Sequence, residues 1–189
     1  MEHDVVVCDT ALLIPHTVTD LEQFLTDPSG HLLSITADPD AAARLWHDRL
    51  RRNPYGGEGV VSVSYAGQAL LGPEHLDHVS LTWDALVAAV EDFVAAVSGA
   101  QGAGAASGTE AVDQDDPAAI AIERVPGGAL FRADDRTVFV DPALLIPGLV
   151  DGAAAFTHWV HEHLGTSDAP HLDRLAALRA AWASAHHRA

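Results

Sequence analysis

The 189-residue chain contains no lysine; all ten of its basic residues are arginine. It has one cysteine, Cys8, which excludes an internal disulfide and any zinc site built from cysteine pairs. Cys8 sits in the run "VVVCD", where a lone cysteine acts as a small apolar filler, since no neighbouring cation would favour a reactive thiolate. Unbroken apolar runs fall short of the roughly 20 residues that cross a bilayer. The start "MEHDVVVCDT" lacks the positive charge and apolar stretch of a signal peptide, so a cytoplasmic protein is expected. Phosphate-binding, nucleophile-elbow and zinc-protease motifs (GxGxxG, the P-loop, GxSxG, HExxH) are missing too. Neither a catalytic residue nor a cofactor can be named from motif.

What is abundant is negative charge. Twenty-seven acidic residues face ten basic ones, a formal charge of -17. Such a field repels nucleic-acid phosphates and anionic membrane and attracts basic proteins. Acidity also keeps an apolar-rich chain in solution, and with 48% hydrophobic residues this one has the composition of a folded protein.

The stretch "SGAQGAGAASGTEAVDQDDP" is small, flexible and then acidic, as in a linker. It divides the chain into residues 1–98, a loop at 99–116 and residues 117–189, with the two flanks expected as halves of one domain. "DTALLIP" at 9–15 returns as "DPALLIP" at 141–147. Each follows a β-branched run, which predicts a duplicated strand–turn–helix unit with the Leu-Leu-Ile phrase in the core. The helices after the two copies are expected to start near Asp20 and near Asp151, anchored by Phe24 and Phe156. "DPDAAARLWHDRLRRNP" reads as a helix capped by Asp38. "GVVSVSYAGQALL" reads as a hairpin turning at Ala66-Gly67, and "TWDALVAAVEDFVAAV" as a helix capped by Thr82. "HLLSIT", "AAIAIERV", "ALFRADD" and "RTVFV" are strands, the last two paired across Asp134-Asp135. Helices at about 151–164 and 168–187 close the chain. Mixed elements without regular alternation give an α+β fold, a mixed or antiparallel sheet packed by several helices.

Three groups of residues could carry function. Twelve histidines raise a metal site from His75, His78, His158 and His161, although His163 falls on the apolar face of its helix and no spacing supplies a full ligand set. Arg44, His47, Asp48, Arg51 and Arg52 share one helix face, either an anion-binding face or a surface neutralised by the chain's own acids. The acidic residues Glu74, Asp77, Asp134, Asp135 and the segment 110–116, with Trp83 and Trp159 as anchors, would suit a basic partner. The expectation is a non-catalytic acidic binding protein, monomeric or homodimeric, of the sort represented by immunity proteins, antitoxins and secretion chaperones. That comparison is by class alone. A metal-dependent enzyme or metal carrier and a subunit of a larger assembly are the alternatives.

Overall fold

The computed structural model describes residues 5–15, 17–51, 57–99, 119–165 and 169–186. The β-branched run forms β1 (Val6–Leu13), which pairs antiparallel with β2 (Leu32–Ser34) on one side and β3 (Glu58–Tyr65) on the other. The far edge of β3 carries β4 (Gln68–Leu71) and the two-residue β5 (Asp77–His78). Ala66 and Gly67 turn the β3–β4 hairpin with φ of 49° and 81°, the two left-handed residues that a type I′ turn requires. A second antiparallel sheet, β6 (Ile120–Val125), β7 (Gly128–Ala133) and β8 (Arg136–Val140), turns at Asp134 with φ 48°. The fold is α+β, with both sheets antiparallel.

Among the described residues five α-helices complete it. Short α1 (Leu21–Thr26) is capped by Asp20, whose carboxylate accepts from the Gln23 N–H, and buries Phe24. With Leu13 and Val60, Phe24 forms a small core on one face of the first sheet. α2 (Pro39–Leu50) has Asp38 as its cap and Pro39 in its first turn, as its sequence predicts. α3 (Val79–Ser98) begins earlier than expected. Thr82 is not its cap, because the Thr82 hydroxyl bonds back to the His78 carbonyl one turn behind.

The repeated heptapeptide does two different things. In the first copy Asp9, Thr10, Ala11, Leu12 and Leu13 lie inside β1. In the second, Asp141 caps α4 (Pro142–Leu164), with Pro142 in the first turn and Pro147 inside the helix. The helix therefore starts nine residues before Asp151, and the two phrases are not equivalent strand–turn–helix units. The one polar difference between them decides this. Proline presets φ for a first helical turn and has no N–H for a strand ladder, whereas β-branched Thr10 pairs with Val61 in mid-sheet. Different members of the apolar triplet consequently stay outside: Ile14 is 47% exposed in the first copy and Leu144 45% in the second.

α4 lies against β1, α2, α3 and α5 (Ala169–His186). Gly148 and Gly152 let it approach. A Cβ on Gly148 would lie 2.5 Å from Val6 Cβ, and one on Gly152 would lie 2.7 Å from the Trp83 ring and 2.8 Å from Cys8 Cβ. Among the described residues α4 alone has the length and apolar composition of a membrane span, which a search for unbroken apolar runs overlooks because Asp151 interrupts it. Here its Leu145, Ile146, Leu149, Phe156 and Trp159 enter the main core.

Candidate functional site

Most of the arginines among the described residues are engaged with the chain's own acids. Among the described residues Arg49 pairs with Glu58, Arg51 with Asp48, Arg132 with Glu123, Arg136 with Glu74, Arg174 with Glu91 and Arg179 with Asp151. On α2, Arg44 and His47 are exposed, as is Arg51; Arg52 and the acidic segment 110–116 lie outside the described residues. Near the end of α2, apolar Leu50 is 41% exposed while charged Arg49 is 4% exposed. Arg49 reaches inward because two acceptors await it. Its Nη1 donates to Glu58 Oε2 at 3.0 Å and its Nη2 to the Pro15 carbonyl. The Arg49 side chain thus ties α2 to the ends of β1 and β3.

The sequence-predicted acids divide by environment. Glu74 is bound by Arg136 at 2.6 Å, and Arg136 also donates to the Ala69 carbonyl. Asp134 Oδ2 lies 3.5 Å from Nε2 of buried His75, whose Nδ1 accepts from the Gly72 N–H at 3.2 Å. Glu74, His75, Asp134 and Arg136 thus form a polar latch between the two sheets. Asp77 accepts from the His78 N–H at 2.6 Å. Asp135, at the hairpin tip, is exposed.

The four candidate metal ligands do not converge. His75 is buried in the latch, His78 occupies the cap position of α3, and His158 and His161 lie exposed on α4. Among the described residues no three His, Cys, Asp or Glu side chains are grouped so as to hold a metal. His163 is on the inner side as its helix phase predicts, stacked on Trp159 with ring centroids 5.7 Å apart. Burial pushes the Cys8 thiol up to about 12, so Cys8 is held as a neutral thiol, and its nearest acceptor is the Gly148 carbonyl at 3.8 Å.

The two tryptophan anchors are core residues, Trp83 being 4% and Trp159 6% exposed. Their indole N–H groups are already satisfied. Trp83 donates to Thr10 Oγ1 at 2.9 Å and Trp159 to the Pro39 carbonyl at 3.4 Å. Trp83 does, however, line the feature that sequence reasoning missed, a cleft of about 180 Å³ among α2, α3, α4 and α5. Its floor is Trp46, Trp83 and Phe156, with Trp83 and Phe156 nearly parallel (19°) at 6.3 Å. Asp84, His171 and Arg174 stand at its lip. Arg174 is clasped by Glu91 through Nε at 2.6 Å and Nη2 at 2.7 Å, and this carboxylate holds the guanidinium above its ordinary pKa. Asp84 has no hydrogen bond or ion pair among the described residues and acts on Arg174 only through space. Aromatic floors with a few convergent polar groups are the usual form of a ligand pocket.

Comparison with protein-family models, curated proteins and solved structures finds no match to this chain.

Proposed function

We propose that this chain is a non-catalytic acidic binding protein whose partner is a basic protein, in the manner of an immunity protein, antitoxin or chaperone. The observation that carries the proposal is the distribution of ion pairs. Among the described residues internal partners take up Arg49, Arg51, Arg132, Arg136, Arg174 and Arg179, while the chain carries a formal charge of -17, so acids far outnumber the cations left to meet them. Asp135 has no ion pair among the described residues and is exposed at the tip of the β7–β8 hairpin. Self-repulsion of this size opposes the compact state and is relieved when a cationic surface covers it. Glu74 and Asp134, by contrast, serve the latch between the sheets, and Trp83 and Trp159 serve the core.

The test is affinity capture from extracts of the source cells at low ionic strength, followed by elution in a salt gradient and identification of what elutes. The expected result is a partner with an isoelectric point well above neutrality that leaves as salt rises. A captured partner that is neutral or acidic, or that stays bound irrespective of salt, would contradict the proposal.

A further inference from the structure

The cleft among α2–α5 brings aromatic rings and charged side chains together at one place. Two of its three floor rings have no polar demand of their own, because Trp83 has Thr10 as its acceptor and Phe156 has no polar atom. Each ring is 4–8% exposed, and what it adds to the cleft wall is aromatic carbon. At the lip, Arg174 makes two bonds to Glu91 and is attracted through space by Asp84, so two carboxylates face one guanidinium. The sum over Asp84, Glu91 and Arg174 is one negative charge beside an aromatic floor.

An anion would meet the surplus negative charge at the lip, and a neutral apolar ligand would make no use of Asp84. An organic cation satisfies both elements, through attraction to the rings and a charge-assisted bond to the carboxylate. Of the two cationic side chains a protein can offer, the guanidinium is the better fit. It is planar and weakly hydrated, stacks on aromatic faces and presents a two-pronged donor to a carboxylate. Lysine's compact, strongly hydrated ammonium does none of these as well.

We propose that this cleft is the anchor site for an arginine side chain of the basic partner, its guanidinium bound by Asp84 and its stem lying against Trp46, Trp83 and Phe156. This rests on the functional proposal above and adds where the partner is gripped and by which residue.

The test uses the full chain and a probe that needs no partner, N-acetyl-arginine amide, followed through the indole N–H resonances of the tryptophans. The expected result is a saturable shift of the Trp46 and Trp83 signals. The uncharged isostere N-acetyl-citrulline amide should bind about tenfold more weakly, a factor typical of removing charge from a charge-assisted bond. Asp84→Asn should weaken the arginine probe about five- to tenfold and Asp84→Glu should restore part of it, while Glu22→Gln on distant α1 should leave it unchanged. Absence of shifts at the cleft tryptophans, equal binding of citrulline, or equal loss in Asp84→Asn and Glu22→Gln would overturn the site. The probe result does not depend on any partner having been captured. Retention of a basic partner at full strength by Asp84→Asn would overturn the anchor and leave the functional proposal standing.

Discussion

Replacing Gly152 by alanine sets two opposing effects against each other. Glycine within a helix is less favourable than alanine by about 0.5–1 kcal/mol, so propensity alone makes Gly152→Ala stabilising. Packing says the reverse. The new methyl would lie 2.7 Å from the Trp83 ring, 2.8 Å from Cys8 Cβ and 2.9 Å from Cys8 Sγ. None of these can easily yield. Trp83 is pinned by its bond to Thr10 and lies over Phe156, and Cys8 is paired with Val63 in the middle of β1. Overpacking a well-filled core costs about 1–3 kcal/mol. With the propensity gain subtracted, a net loss of about 0.5–2 kcal/mol remains. For a chain of this size that is a fall in Tm of roughly 1–8 °C. Thermal unfolding followed by circular dichroism reads it, with tryptophan fluorescence reporting movement of α4 away from β1. A Gly152→Ala protein as stable as the parent, or more so, would refute the close approach of α4 to β1.

Other outcomes follow from single contacts. Thr10→Val keeps the shape of the strand residue but leaves the buried Trp83 N–H without an acceptor, and should cost about 1–3 kcal/mol in denaturant unfolding; no change would mean the N–H finds another partner. Arg49→Met should destabilise by about 2 kcal/mol, less than for a fully buried pair because Glu58 keeps contact with water; a neutral result would show that the bonds to Glu58 and Pro15 do not hold α2 in place. The Cys8 thiol, raised from 9.0 to about 12 by burial, should alkylate at pH 8 far more slowly than an unfolded-chain cysteine. Its folded value is the higher one, so its contribution to stability is complete below pH 9 and is lost as pH climbs from 9 towards 12. Alkylation at the rate of a free thiol would contradict the burial of Cys8.

The parts of the fold fixed by local chemistry were legible in the sequence. Asp38-Pro39 marks the start of α2, Asp20 the start of α1, and Ala66-Gly67 the first hairpin, because each is a cap or turn acting within a few residues. The start of α4 was not, because two nearly identical phrases had to be told apart by Thr10 against Pro142, and the preference of each is realised only with β3 beside the one and a free helix end at the other. Arg49 was hidden for a similar reason. Its inward turn depends on Glu58 and Pro15, neither on its own helix. The cleft is written on four elements, Trp46 on α2, Ser80-Trp83-Asp84-Val87 on α3, Phe156-Thr157-Val160 on α4 and His171-Arg174-Leu175 on α5. Each set alone reads as an ordinary amphipathic helix face, and only their juxtaposition makes a cavity. The histidines mislead in the opposite direction, being numerous in the sequence and scattered in space.

The most direct test of the account is the association rate of the chain with its captured partner, measured across ionic strength from about 20 to 500 mM, over which the screening length shrinks from roughly 20 Å to a few ångströms. If opposite charge brings the two together, the rate constant should fall by at least about tenfold over that range while dissociation changes little. An association rate that stays flat across the whole range would show that the surplus carboxylates play no part in capture.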